Sequence, residues 1–437
     1  MATYAASAPR GISARWKYAL IPLTAVWLVT FVEKVNVSLV IANKQFLTQT
    51  GLTGHEALLG VLANVFLLSY GISMFFWGAA VDRWGVRRTM VVAALLWAIS
   101  EFGFASSHSV AQLFASRILL GIGEAFSFPV SLAVTERWFP PREHSMANGV
   151  WIAGADIGVV FAMPVFAVMT VNMGWPAPFW TLGILSLVVG LWFYLAFRDT
   201  PEEHPKVSEA ERQLIGEVDE VFLQHKTTHV TTAQVLASGR FWLVWVLGVC
   251  TTIEVWGLTT WIPTYLVAAK HVSFVHAGYL ASLPTGFALI LQPLGGWLQS
   301  RFGHRSMWAI LWAGLGLICL WIGTIAPTGG MAAVFLALGY ATQVVNIVTF
   351  NSMLFALTPR GLIGKIGGFA NGLNQILSFF APFVMGIFIQ AEGKFTGAFM
   401  LEEIVMAVML LDAIVLTVAR IDNRPAYRLS AAKSQVG

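Results

Sequence analysis

The chain has 437 residues, 57% of them hydrophobic and only 11% charged. Soluble domains run near half apolar and a quarter charged, so this composition excludes an ordinary soluble enzyme and reads as a polytopic membrane protein. The formal charge of +4 and the pI near 9.1 would suit a nucleic-acid partner, but the placement of the basic residues gives a different account.

In chain order, twelve apolar stretches are each long enough to cross a bilayer, near 18–41, 58–80, 89–107, 110–135, 145–168, 178–197, 241–268, 275–299, 306–326, 331–356, 366–389 and 396–418. The first lacks a small-residue cleavage site, so it is expected to be a retained helix and not a signal peptide, and neither end carries a lipidation motif. An even number of spans puts both termini on one side. Of the 26 Lys and Arg residues, 21 fall on that side, Lys44, Lys270 and Lys394 fall on the other, and Lys34 and Arg117 lie inside spans. The bias places both termini in the cytoplasm and explains the pI without nucleic acid.

The polar stretch from Arg198 to Arg240 interrupts the rhythm after span six. Within it, Ser208-Glu-Ala-Glu211 has the form of a capping box and predicts a short helix. The expected organisation is a six-helix half over 1–197, a cytoplasmic linker over 198–240, and a second six-helix half with a tail over 241–437. A repeat supports it. Gly78-Ala-Ala-Val-Asp-Arg-Trp-Gly-Val-Arg87 ends span two and Gly296-Trp-Leu-Gln-Ser-Arg-Phe-Gly-His-Arg305 ends span eight, 218 residues later. Pro141-Arg142 and Pro359-Arg360, Gly154 and Gly372, and Pro164 and Pro382 recur at the same offset. Parallel halves with a site between them are a transporter architecture, so the fold class is an all-α membrane protein of twelve transmembrane helices in two pseudo-symmetric halves.

Span four, within Arg117-Ile-Leu-Leu-Gly-Ile-Gly-Glu-Ala-Phe-Ser-Phe-Pro129, carries a full charge of each sign. Arg117 and Glu124 are two helical turns apart on one face, roughly 10 Å along the axis, with Gly121 and Gly123 keeping that face slim. Ionisable groups at membrane depth are costly and usually face a bundle interior or an aqueous cavity, so the pair is either a substrate or proton site or a lock between helices. Cys250 and Cys319 both sit in apolar runs and read as small hydrophobes. No nucleophile–base arrangement, nucleotide loop or metal-ligand spacing occurs, so no enzyme activity, cofactor or metal is expected.

The stretch Gly78 to Arg88 matches the G-x-x-x-D-R-x-G-x-R-R signature of the major facilitator superfamily, which the chain resembles over nearly its whole length. Gly121-Ile-Gly-Glu-Ala-x-x-Phe-Pro129, Arg137-Trp-Phe-Pro140 and the segment Pro201 to Arg212 resemble, more narrowly, the anion:cation symporters, which carry sugar acids and other organic anions. The resemblance implies proton-coupled uptake of an organic anion. It assigns Glu33 and Glu124 to proton coupling and Lys34 and Arg117 to the anion, with Asn36 in support. Lys34 stands where relatives carry Arg and lacks the bidentate fork. It further assigns Trp261 and Asn371 to substrate, with Asn374 and Ser378 following into the cavity. Asp82, Arg83, Arg87 and Arg88 become gate elements that hold the inner side closed.

Asp156, mid-span in Gly154-Ala-Asp-Ile-Gly158, reads as a further coupling group, a hydroxyl acceptor or a structural acid, and Glu254 as a coupling group or a structural one. Trp256, Trp261 and Tyr265 would line or gate a cavity, or form an interfacial belt. Gln343, Asn346 and Phe350 share a face of span ten. Glu101, Glu402, Glu403 and Asp412 lie nearer span ends and read as interfacial or structural. The expected partners are a small organic anion, protons and the lipid bilayer, for a protein that functions as a monomer in a bacterial inner membrane. The alternative is a drug or cation efflux antiporter, because Glu33, Glu124, Asp156 and Glu254 outnumber Lys34 and Arg117.

Overall fold

The computed structural model describes residues 13–140, 143–215, 231–359 and 362–421, and every regular element among them is helical. Arg10, Arg142, Lys226, Arg360, Arg424, Arg428 and Lys433, counted above, lie outside the described residues. The long helices are α1 (Trp16–Val40), α2 (56–84), α3 (86–105), α4 (Val110–Trp138), α5 (His144–Met173), α6 (Ala177–Ala196), α7 (Gly239–Ala268), α8 (Phe274–Phe302), α9 (Arg305–Ile325), α10 (Gly329–Leu357), α11 (Lys365–Glu392) and α12 (Thr396–Val418). Eleven are long and apolar enough to cross a membrane. The twelfth, α12, has the length, 23 residues, but Glu402, Glu403 and Asp412 interrupt its apolar run.

Local chemistry sets the boundaries. Ser109 and Gln112 form a reciprocal capping box at the start of α4. Pro129 has no N–H to offer the carbonyl of Ala125, and α4 is interrupted at Ala125–Phe126, directly after Glu124. The expected loop after span two is mostly helical instead. One hydrogen-bonded run extends from Glu56 to Ala105 and turns only at Gly85, with φ +78 and ψ 164. Only glycine reaches that conformation without strain. A side chain there would also strike the carboxylate of Asp199, which accepts from Arg87 N at 3.1 Å.

The linker is tied to the N-terminal half. The predicted helix forms over Glu209–Ile215, and Ser208 Oγ accepts from Glu211 N at 3.3 Å. The other half of the box is absent, because the Glu211 carboxylate is engaged elsewhere. It accepts from the backbone N–H of Ala14 and Arg15 and pairs with the Arg15 guanidinium at 3.0 Å. Arg15 also pairs with Glu143 at 3.0 Å, joining α1, the start of α5 and the linker. His204 packs between Tyr18 and Trp138, contacts Ala196 O through Nε2, and accepts from Lys206 N at Nδ1. Burial holds its imidazole below the usual range, which suits the neutral ring those two bonds require.

Helices α1–α6 and α7–α12 form two bundles. The core of the first includes Val26, Phe66, Val130 and Phe193, and that of the second includes Leu247, Leu336, Met406 and Leu416. The second core continues into Ile41, Leu59, Phe104 and Phe179, at the ends of α1, α2, α3 and α6 farthest from the termini. On that side the bundles touch closely. Gly60 of α2 packs on the backbone of Pro382, Gly386 of α11 packs on the backbone of Glu56 and Ala57, and Gly278 of α8 packs on Ala167 of α5. Toward the termini, a side chain added at Gly78, Gly149, Gly367 or Gly368 would meet nothing within 4 Å. Among the described residues, then, the halves are joined on the far side and looser on the terminus side.

At Gly386 an added Cβ would lie 2.5 Å from Glu56 O and 2.8 Å from Ala57 Cα, both backbone atoms that cannot step aside. Gly386→Val should therefore push α11 off α2 and lengthen spin-label distances between the far-side ends of those helices. Unchanged distances in the folded variant would show that this contact does not hold the far side shut.

Candidate functional site

Arg117 organises the interior of the first bundle. It is 1% exposed, and its guanidinium donates from Nη1 to Glu33 O at 3.0 Å and from Nη2 to Lys34 O at 3.1 Å and Ala63 O at 2.9 Å. A helical carbonyl keeps a lone pair beyond its own helix bond, so α1 and α2 can accept these donors without unwinding. The guanidinium also stands 4.6 Å over the Phe66 ring. This grip needs α4 close to its neighbours. Gly121 packs against Phe66 O and Ser69 of α2, and Gly123 against Trp97 and Leu96 of α3.

With its donors on α1 and α2, Arg117 makes no ion pair to Glu124, although the two remain within electrostatic reach. Lys34 takes that place. Its Nζ lies 3.0 Å from Glu124 Oε2, with side-chain exposures of 5% and 0%. The ammonium sits 5.1 Å from the Tyr70 ring, 5.5 Å from Trp27 and 5.8 Å from Phe31, so aromatic faces supply most of its remaining surroundings. Trp27 is fixed by stacking on Trp151 at 4.6 Å and by donating to Ser131 Oγ at 2.7 Å.

Glu33 and Lys34 are consecutive and both lie near Glu124, Lys34 through the ion pair and Glu33 within hydrogen-bonding reach. Glu33 is fully buried and hydrogen-bonded to Ser186 of α6, while its Oε2 has no hydrogen-bond partner. Glu101 of α3, 2% exposed, lies within electrostatic reach of Arg117, Glu33 and Glu124. One cluster in the bundle therefore gathers three carboxyl groups, Glu33, Glu101 and Glu124, and two cations, Lys34 and Arg117, and a fourth acid, Asp156 of α5, is buried toward Tyr340.

Sequence reasoning missed Glu101, Ser186 and the Tyr70–Trp27 box. Glu101 stands four residues before the end of α3, where an acid reads as interfacial, and tertiary packing buries it. A serine and aromatic residues in apolar runs give no signal of their own.

Trp256 of α7 sits where the halves meet, 5.2 Å from Phe66 and 6.5 Å from Phe31, and donates to Gln375 of α11 at 3.0 Å. Beside it, Asn64 of α2 donates to Thr260 of α7 at 2.8 Å, and Asn371 Nδ2 reaches Met74 Sδ of α2 at 4.0 Å. Beyond Lys34 toward the far side, Val35, Ser38, Val159, Thr259, Thr285 and Tyr340 line a narrow cleft between the halves, with room for about one water molecule. Asp156, one turn before Val159, is within electrostatic reach of Tyr340.

The other expected residues are spread more widely. Asn36 is 1% exposed with Nδ2 unpartnered, and Asn374 is 2% exposed with Oδ1 unpartnered. Ser378 turns its hydroxyl back to Asn374 O at 2.7 Å. Trp261 is fully enclosed and donates to Pro382 O at 3.0 Å, and Tyr265 donates to Thr324 O at 3.2 Å. Both tie α7 to neighbours within the second bundle. Gln343, Asn346 and Glu254 are fully buried inside that bundle. Arg87 stays within the first bundle, donating to Tyr194 O at 2.7 Å and standing 4.0 Å over the Tyr194 ring, while Arg83 and Arg88 are exposed. The side chain of Asp82 lies outside what is described.

Residues 26–382 match the Major Facilitator Superfamily. The chain is 25% identical over 403 residues to a probable sulfoacetate transporter of Cupriavidus necator, covering 89% of this chain and 91% of the relative. It is 26% identical over 400 residues to a probable galactarate/D-glucarate transporter of Bacillus subtilis, covering 85% and 87%. It is 25% identical over 388 residues to a probable L-galactonate transporter of Escherichia coli, covering 86% and 84%. In fold it is similar to the crystal structure of a bacterial homolog of the human lysosomal transporter Spinster, inward-facing and occupied, with a TM-score of 0.66 at 16% identity over 94% of this chain and 97% of the other. The helical repeat, the paired bundles and the match across most of the length agree: the chain belongs to the Major Facilitator Superfamily and is a multi-pass membrane transporter, not an enzyme.

Proposed function

We propose that this protein takes up an organic anion, a carboxylate or sugar acid, together with protons, by alternating access. The observation that carries the reading is the enclosed Lys34–Glu124 ion pair at 3.0 Å. A buried cation whose only salt-bridge partner among the described residues is an acid able to take a proton is a device for exchanging one anion for another. An arriving carboxylate competes for Lys34 Nζ. Glu124 would then be left buried without its ion pair, which costs several kcal/mol as a carboxylate and little as an acid, so anion binding favours proton binding. Arg117 positions α1 through its carbonyls and adds positive potential, and Lys34 is the cation that meets the substrate.

Charge balance supports the same coupling. Glu33, Glu101 and Glu124 against Lys34 and Arg117 sum to minus one if all ionise, and a substrate anion would deepen that deficit in a medium of low dielectric. Glu33 offers a second proton position. The Ser186 hydroxyl contacts both Leu182 O and Glu33 Oε1, and its single hydrogen satisfies only one of them. A proton on Glu33 satisfies the other. The hydroxyls of Ser38, Thr259, Thr285 and Tyr340 around the cleft, with Asp156 beside Tyr340, would face the hydroxyl groups of a substrate once the halves move apart there. The relatives' names, which cite sulfoacetate, galactarate, D-glucarate and L-galactonate, support an organic anion. The same reading takes the protein as a functional monomer in a bacterial inner membrane, with both termini cytoplasmic, divided at 1–197, 198–240 and 241–437. Asn371 and Trp256, at the meeting of the halves, are the second half's candidates for sensing the substrate.

Three outcomes are expected. Lys34→Ala should weaken substrate binding by about 10- to 100-fold, the worth of one charge-assisted hydrogen bond, measured by titration calorimetry on the folded variant. Unchanged affinity would remove Lys34 from the site. In liposomes, Glu124→Gln should lose proton-driven accumulation and keep counterflow exchange, because the amide imitates the protonated acid. Accumulation at the wild-type rate would exclude Glu124 as an obligatory proton carrier. Finally, carboxylates should raise the melting temperature of the purified protein more near pH 5.5 than near pH 7.5, since binding that takes up a proton is stronger where protons are abundant. Stabilisation by lipophilic cations and not by acids would overturn symport in favour of efflux.

A further inference from the structure

The second bundle holds an acidic pair that the anion site does not use. Glu254 of α7 and Glu402 of α12 are both 0% exposed and lie within hydrogen-bonding reach of each other. Among the described residues no well-formed donor reaches any of the four carboxyl oxygens, and the backbone N–H of Met406 is the one donor near Glu254. Glu402 Oε1 packs against Gly257, one turn along α7 from Glu254, where no side chain intervenes. The surroundings offer no countercharge. The long helices α7 to α12 carry Lys or Arg only at or near their ends, as at Arg240, Arg301, Arg305 and Lys365. The titratable groups near the pair are Cys250 on α7 and Asp412 on α12, neither of them a cation. From the neighbouring α1, Lys34 and Glu33 engage α4 and α6 instead.

The interior of the same bundle holds a further unpartnered acceptor besides the acids. Asn346 of α10 is 0% exposed, and its Oδ1 also has no partner. Its amide nitrogen is directed to Gln343 Oε1 at 3.4 Å and Met409 Sδ at 4.0 Å, and Gln343 Nε2 reaches Met406 Sδ at 3.7 Å, one turn beyond Glu402. Together, Glu254, Glu402 and Asn346 leave five buried acceptor oxygens in the second bundle without a well-formed hydrogen bond. Two carboxylates in contact, enclosed and without a cation, are not tenable together, because each is penalised by burial and by the other. The shortage is met if the pair holds H⁺.

We propose that Glu254 and Glu402 form a proton-binding site of the C-terminal half, a carboxylic acid–carboxylate pair separate from the Lys34–Glu124 site. It is the counterpart of an arrangement in the first bundle, since in each half the first helix sets a buried carboxyl against the sixth, Glu33 on Ser186 and Glu254 on Glu402. The shared proton ties α7 to α12 as one body, and its loss would drive the two helices apart.

The test reads protonation directly and does not depend on transport, so it stands or falls apart from the symport reading. The wild-type protein and the Glu254→Gln, Glu402→Gln and double variants, in lipid nanodiscs near pH 7, are compared by infrared spectroscopy of the C=O stretch of protonated carboxyl groups. The double variant should lose intensity of at least one carboxylic acid relative to wild type, and raising the pH should remove that same component from wild type. Glutamine has the shape of the protonated acid, so folding should survive, and the single variants carry the readout should the double variant fail. A spectrum unchanged in the variants would overturn the proposal by showing both groups ionised. Stabilisation by sodium chloride over potassium chloride that disappears in Glu402→Gln would overturn it in favour of a metal cation.

Discussion

Putting opposite charges inside a membrane protein is the constraint on which the rest of this structure turns. One ionisable side chain at membrane depth costs about 3 kcal/mol by insertion scales, and five are gathered in one cluster of the first bundle. Contact alone does not repay that cost, because desolvation of a buried pair commonly rivals its attraction. What makes the arrangement tenable is division of labour between the cations. Arg117 has its two terminal nitrogens engaged by the carbonyl dipoles of Glu33, Lys34 and Ala63, which are fixed and cannot be protonated away, while its Nε has no partner. Lys34 is satisfied by Glu124 and by aromatic faces, which can give way. The rigid cation positions the exchangeable one. The glycines at 121 and 123 and the break after Glu124 are the local concessions that let α4 approach closely enough.

The architecture was legible in the sequence because bilayer spans announce themselves by length and the halves by a repeat of 218 residues. Intramembrane charges were legible for the same reason, since a Lys or Glu in an apolar run has no local explanation. What they paired with was not. Spacing placed Arg117 and Glu124 on one face, but a guanidinium at that spacing can turn to a neighbouring helix, and here it does. Glu101 and Glu402 read as interfacial because depth within a span is a one-dimensional measure, and burial near a helix end depends on which helix packs there. Trp261 and Tyr265 matched a pattern, yet their polar tips meet Pro382 O and Thr324 O inside the second bundle. The capping box at Ser208 formed only in part because Glu211 has stronger partners in Arg15 and two backbone amides. In each case the residue type was informative and its partner was decided by tertiary packing.

The two halves are alike in backbone and unlike in charge. The first holds both cations with its acids, and the second holds acids alone. Alternating access needs the halves to rock about a shared contact, and that contact is made largely of close backbone approach, with Gly60, Gly278 and Gly386 on the far side and Trp256 near the middle. Such contacts are short-ranged and nearly indifferent to charge, so they separate and reform without moving ions through the gap. The charged groups sit behind them, inside the first bundle. Under the proposed symport, an anion entering from the looser side would meet Trp256 and Asn371 of the second half and Lys34 of the first, and so would be read by both halves at once. Closure on the substrate then follows from one ligand satisfying two bodies that otherwise touch mainly through apolar surface and backbone.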